Sequence, residues 1–216
     1  MAEVAGNEFK VLIVGSKGVG KTAFIKRTIT GEYQEKYIPT KDIEILRFTF
    51  FTTFGPIKFH SWEPPIREEA SDALEEPCYI GIDCAIIMFD VTSMTSYKDV
   101  PKWYDKIMKI NEKMPVIIVG NKVDSENREV KTRQIQFHRK VNSHYYDLSV
   151  KTDYQLERPF LYLMRKLMNQ PSLKLVECHI ASCLHCFQLT AAQIAAMEQE
   201  LELAGQIPLP DDDDEL

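Results

Sequence analysis

The stretch "FKVLIVGSKGVGKT", residues 9–22, decides the fold. Its first half is a short, β-branched apolar run stopped by Gly15, as a buried parallel strand is. Its second half is punctuated by glycine and runs on into "AFIKRT", which reads as a helix. Gly15, Gly20, Lys21 and Thr22 satisfy G-x-x-x-x-G-K-[ST] in that strand-to-helix setting. Glycines let the backbone curl so that successive N–H groups face one phosphate chain. Lys21 then reaches the β- and γ-phosphates, and Thr22 offers a hydroxyl to Mg²⁺. The phosphate-binding set is therefore Ser16, Lys17, Gly18, Val19, Gly20, Lys21, Thr22 and Ala23.

Two more runs are of the same type: "CAIIMFDVT" (84–92) and "PVIIVGNKVD" (115–124). Between them, "SYKDVPKWYDKIMKINEKM" (96–114) places Val100, Trp103, Tyr104, Ile107 and Ile110 at helical spacing, with Pro101 in a first turn. A further strand, 145–150, precedes a helix over 156–169 with Phe160, Leu163, Met164 and Leu167 on its apolar face. Strands alternating with amphipathic helices predict an α/β fold with a mainly parallel sheet covered on both sides. "IEILRFTFFT" (43–52) and "IKFHSW" (57–62), joined through Gly55-Pro56, read instead as an antiparallel hairpin at one edge.

The phosphate loop does not name the base, but "NKVD" (121–124) does. A carboxylate at Asp124 accepts from both the ring N–H and the exocyclic amine of guanine, a pair that adenine lacks. Asn121 braces the loop and the Lys122 stem covers the base face. "SVK", with Ser149, Val150 and Lys151, adds backbone N–H groups toward the guanine oxygen. Alone, "NKVD" is a common polar turn; between a phosphate loop and "SVK" it is specific.

The net charge of −6 on 216 residues is concentrated at one end. "DDDDEL" holds five acidic side chains, so the rest of the chain is near −1 and shows no bias toward nucleic acid. No apolar run reaches the length of a membrane span, and neither a secretory leader, a myristoylation glycine nor a CaaX box is read. An unanchored, intracellular monomer is expected. Five cysteines without a leader read as reduced thiols. Cys178, Cys183 and Cys186, with His179 and His185, offer enough ligands for zinc. Their spacing matches no paired metal motif, so ordinary thiols are the favoured reading and a metal the alternative. The organisation expected is a short N-terminus (1–7), a nucleotide-binding domain (8–170), a connector (171–189), a helix (190–205) capped by Thr190 and Gln193, and an acidic end (206–216).

With these motifs in order, the sequence resembles the Ras superfamily of small GTPases and, within it, the Ran type. The stretches that carry the resemblance include "FIKRTITGEYQEKY" (24–37), "GPIKF" (55–59), "CAIIMFDVTS" (84–93), "GNKVD" (120–124), "FHRK" (137–140), "YYDLSVKTDY" (145–154) and "RPFLYLMRKL" (158–167). The resemblance implies a P-loop small G domain with a six-stranded, mostly parallel sheet flanked by helices. It also implies GTP/GDP and Mg²⁺ as cofactors, and a role in nucleocytoplasmic transport between nucleus and cytoplasm. The partners implied are importin-like and exportin-like receptors, Ran-binding domains and a nucleotide exchange factor. Thr40 would close on Mg²⁺ in the GTP form, joining Thr22 as a metal ligand. Tyr33 would edge the guanine, with Glu35, Lys36 and Tyr37 beside it. The terminal helix would fold back in the GDP form, with Arg139 and Lys140 a physically sensible seat for the acidic end.

One segment departs from the family. Where the family has Asp-x-x-Gly-Gln, this chain has "EPPIR", Glu63 to Arg67. Glu63 stands for the aspartate that anchors the Mg²⁺ water shell, Ile66 for the glycine that meets the γ-phosphate, and Arg67 or Glu68 for the catalytic glutamine. Pro64 and Pro65 fix φ and remove two donors from a segment that ought to move. Lys17 replaces a glycine where bulk obstructs hydrolysis. Three readings follow: a GTP holder that hydrolyses slowly, a conventional GTPase switch, or a pseudo-GTPase scaffold.

Overall fold

The computed structural model describes residues 7–35, 42–65 and 77–176. Six strands form one sheet in the order β2-β3-β1-β4-β5-β6. They are β1 (Asn7–Val14), β2 (Glu44–Thr52), β3 (Gly55–Glu63), β4 (Cys84–Asp90), β5 (Val116–Asn121) and β6 (His144–Asp147). The β2–β3 pair is antiparallel and every other pairing is parallel, as the hairpin and the continuous apolar runs predict.

The apolar runs are continuous because both faces of the sheet are covered. In β1, Val11 and Ile13 enter one core while Leu12 and Val14 enter the other. In β4, Ile86 and Met88 alternate with Ala85, Ile87 and Phe89 in the same way. The first core contains α1 (Lys21–Thr30) and α5 (Glu157–Leu167), where Phe24 and Phe160 stack with centroids 5.2 Å apart. Phe48 from β2 meets Phe160 edge-on at 5.3 Å. The second core holds Val100 and Ile107 from α3 (Val100–Met108), together with Val130 and Ile135.

The helix read within 96–114 is α3, with Pro101 in its first turn as expected, and a separate short helix, α2 (Met94–Lys98), precedes it. Pro101 has no N–H to give to the Tyr97 carbonyl and its ring crowds that oxygen, so the helix breaks at Asp99 and restarts with the proline in its first turn. It stops at Met108 because Asn111 turns the chain, its side chain accepting from Lys113 N at 3.0 Å. A short α4 (Phe137–Lys140), not expected as a helix, carries Arg139 and Lys140 exposed. Beyond α5, Leu173 is fully buried and Leu175 bridges to Thr52, so the start of the expected connector lies against the hairpin end. The Cys178, Cys183 and Cys186 group, the 190–205 helix and the acidic end lie outside the described residues. Among the described residues, no helix is long and apolar enough to cross a membrane.

Candidate functional site

The carboxyl ends of the parallel strands β1, β4 and β5 point at one cavity of about 710 Å³. The turn after β1 owes its shape to glycine. Gly15 has φ +145°, and a Cβ there would strike the Met88 carbonyl oxygen on the neighbouring strand. Gly20 has φ +97°, and its Cβ would lie 2.5 Å from Asn121 Nδ2. Gly18, at φ +75°, faces open space. The inner wall of the loop is thus closed against β4 and β5 while its outer lip is open.

The loop delivers α1 with Gly20 as its N-cap, with no side-chain cap and no acidic residue in the first turn. That is the polarity an anion needs. Lys21 is buried and curls back over the loop, its Nζ donating to the carbonyls of Gly15 at 3.0 Å and Ser16 at 3.3 Å. Ser16 Oγ donates to Asp99 at 2.9 Å, on the α3 side of the loop. Lys17 is exposed, and Val19 is buried beneath the loop.

The base side is held by a buried asparagine. Asn121 Nδ2 donates to the Val19 carbonyl at 2.8 Å, and its Oδ1 accepts from Lys122 N at 2.7 Å and Val150 N at 3.1 Å. One side chain therefore ties the phosphate loop, the "NKVD" turn and the "SVK" turn together. Lys122 sits at φ +68° and its Nζ pairs with Asp90 Oδ2 at 2.6 Å. Ser149 Oγ donates to Asp124 Oδ1 at 2.5 Å, so the hydroxyl orients the carboxylate that the sequence assigns to guanine.

The strands end sooner than expected, β5 at Asn121 and β6 at Asp147, because these turns need their backbone for the site. Leu148 N still reaches Gly120 O at 2.8 Å, after which the chain leaves the sheet.

The cavity brings together most of the residues predicted from sequence. Gly18, Gly20, Lys21, Thr22 and Ala23 line its phosphate end. Asn121, Lys122, Asp124, Val150 and Lys151 line its base end, and Tyr33 and Glu35 its rim. Ser16, Val19 and Ser149 act from behind the lining. Lys36, Tyr37, Thr40, Ile66, Arg67 and Glu68 lie outside the described residues.

At the phosphate end stands Glu63, the last residue of β3, 1% exposed. Its Oε2 accepts from Thr22 Oγ1 at 2.6 Å and its Oε1 lies 3.6 Å from Lys21 Nζ. Burial pushes the Glu63 carboxyl up, against the pull of Lys21 and Thr22, and Glu44 across the hairpin adds to the rise. Burial likewise draws the Lys21 ammonium down, with Glu63 opposing. A lysine, a hydroxyl and a carboxylate meet where a triphosphate and its cation would lie. This hard-oxygen donor set and this cradle suit a Mg²⁺-nucleotide.

Sequence reasoning placed Glu63 at the metal but did not see it touch Thr22 and Lys21. It also passed over Asp90, Asp99 and the Ser149 hydroxyl. Asp90 carried a readable signal, a carboxylate ending an otherwise apolar buried strand.

A sequence model of the Ras family matches residues 10–169, about three quarters of the chain. The match spans the phosphate loop, the six-stranded sheet apart from the first residues of β1, and both base turns. Ras-family GTPases bind GTP and GDP, typically with Mg²⁺. This chain belongs to the Ras family, as a GTP-binding small GTPase.

Proposed function

We propose that this is a Ran-type GTP-binding protein of nucleocytoplasmic transport, one that holds GTP with Mg²⁺ and hydrolyses it slowly. The observation that carries the reading is a contrast within one cavity. Asn121, Asp124 and Ser149 are each held by hydrogen bonds at the end of the cavity read as the base side, whereas the strand leading to the hydrolytic segment ends at Glu63 and is followed by Pro64 and Pro65.

Phosphoryl transfer relies on positioning and charge stabilisation, and an oriented water plus a partner's arginine accelerate it by up to about 10⁵-fold. That is roughly 7 kcal/mol of barrier. Pro64 is buried and Pro65 half-buried, so the chain leaves β3 along a fixed path with two N–H donors removed. Residues 66–83 contain no glutamine, and Lys17 adds bulk on the open lip of the phosphate loop. Lys21 and the loop amides bind and orient the phosphates, and Asp124 selects guanine. Thr22, joined by Thr40 in the closed form, would hold Mg²⁺, which would supply positive charge to the phosphates.

The transport role is supported by the Ran-type stretches around 55–59, 137–140 and 145–154 and by the acidic end. Importin-like and exportin-like receptors and Ran-binding domains would bind the GTP form, in nucleus and cytoplasm. Two measurements test the whole. Nucleotide released by denaturing freshly purified protein is expected to be GTP, with GDP pointing to a conventional switch and none to a scaffold. Importin is expected to be retained by the GTP-loaded protein and not by the GDP-loaded one. Equal retention would refute the transport role.

A further inference from the structure

We propose that Asp90 is a positioning residue for nucleotide binding, one that holds the Lys122 side chain stretched along the base side of the cavity. The inference rests on the guanine-nucleotide reading above and concerns only how one wall of the base slot is set. Asp90 ends β4 directly opposite Asn121 on β5, the residue that precedes Lys122. Lys122 lines the cavity, whereas Asp90 stands behind the lining. The Asp90 carboxylate has two tasks. Its Oδ1 accepts from Thr92 N at 2.8 Å and Thr92 Oγ1 at 2.7 Å, and its Oδ2 pairs with Lys122 Nζ at 2.6 Å. The main chain is tied as well, Asp90 N donating to Ser96 Oγ at 3.0 Å. The anchor is therefore buried and held on three sides.

Lys122 is fixed at both ends. Its backbone stands at φ +68°, its N donates to Asn121 Oδ1 at 2.7 Å, and its Nζ rests on Asp90. The flexible stem between those points is thereby kept from swinging into water, although the side chain is 42% exposed. An unpaired lysine at such a position samples many rotamers, and ordering it is among the larger side-chain entropy costs. Asp90 orders it before the nucleotide arrives. The stem then offers the base a ready apolar wall while its charge stays paired. A row of methylenes meets the face of a base and reads none of its edge. The pair therefore adds to affinity and leaves the choice of base to Asp124.

The test is a double-mutant cycle on the full chain, read with fluorescent GDP and Mg²⁺. Asp90→Asn keeps the shape of the anchor and removes its charge; Lys122→Met keeps an unbranched stem and removes the ammonium. Dissociation is expected to be about tenfold faster in Asp90→Asn, with association changed by less than about twofold. In the Lys122→Met background the same substitution is expected to change dissociation by less than about twofold, since nothing remains for Asp90 to hold. The preference for GDP over inosine diphosphate, which lacks the exocyclic amine, is expected to stay as in the wild type. Equal effects of Asp90→Asn in both backgrounds, or an altered base preference, would make Asp90 a brace of the whole turn and overturn the assignment. So would unchanged dissociation in Asp90→Asn. Relaxation of the Lys122 ε-methylene by nuclear magnetic resonance in the wild-type GDP complex needs no variant to fold. An ordered group is expected, and one as mobile as a free surface lysine would overturn the assignment while leaving the nucleotide reading intact. Absence of fluorescent GDP binding to the wild type would instead overturn the nucleotide reading, and this assignment with it.

Discussion

Ser149 Oγ donates to Asp124 Oδ1 at 2.5 Å and in turn accepts from Thr152 N at 3.1 Å. The serine thus fixes the direction in which the carboxylate proposed to read guanine points, although it does not line the cavity. Asp124→Ala removes the acceptor for two guanine N–H groups, and a fall in GDP affinity of about 10³-fold or more is expected. Ser149→Ala leaves the acceptor but frees it to turn, at about 1–1.5 kcal/mol, or roughly tenfold in Kd. Calorimetric titration of GDP into each variant separates the two effects. Equal losses would mean that Ser149 meets the base itself.

Asn121 closes three hydrogen bonds across three loops while 2% exposed. Asn121→Ala leaves the Val19 carbonyl and the Lys122 and Val150 amides without that partner. A loss of about 2–3 kcal/mol in urea-induced unfolding without nucleotide is expected. A variant that loses only affinity, and no stability, would show that the residue serves the base and not the loops.

The positive φ of Gly15 and the Met88 carbonyl above it leave no room for a side chain. Gly15→Ala combines a strained backbone with a collision against the main chain of β4. We expect a loss of about 2–4 kcal/mol by the same measurement. Gly18→Ala, whose Cβ meets nothing within 4 Å, suffers only the backbone strain at φ +75° and is expected to lose about 1–2 kcal/mol. A reversed order would contradict the closed-wall, open-lip description of the loop.

His138 lies against the Tyr145 ring at 5.4 Å, its Nδ1 buried without a hydrogen-bond partner. Burial first, then Arg139 and His144, lowers its tendency to take up a proton. The unfolded chain therefore protonates this histidine before the folded one does. Its contribution to stability is present above the ordinary histidine range and is lost as pH falls from about 7 toward 5. Denaturation midpoints at about pH 7.5 and 5.5 should fall further apart in the wild type than in His138→Gln. An equal or smaller separation in the wild type would assign the acid sensitivity to other groups.

Much of this was legible in the sequence because the physics involved is local. A glycine pattern after an apolar run specifies the phosphate loop, and the apolar runs specify strands covered on both faces. "NKVD" and "SVK" mark the base site by their place after β5 and β6. What was not legible depends on distance along the chain. Glu63 and Thr22 are 41 residues apart, and Asp99 and Ser16 are 83 apart. No spacing rule connects such pairs; the parallel registry of β3, β1 and β4 does. The start of α3 was open to reading, since Pro101 is at home only in a helix's first turn. The early ends of β5 and β6 were not, because side-chain capture of backbone groups by Asn121 replaces the ladder.

In the function proposed, the grip on guanosine triphosphate is whole while its hydrolysis is impaired. Loading the purified chain with GTP labelled at the γ-phosphate, and following bound nucleotide and released phosphate together in a single turnover, tests both halves at once. We expect GTP to stay bound with Mg²⁺ present, with phosphate released over hours and little stimulation by an activating protein. Rapid stimulated release, or failure to retain GTP at all, would contradict it.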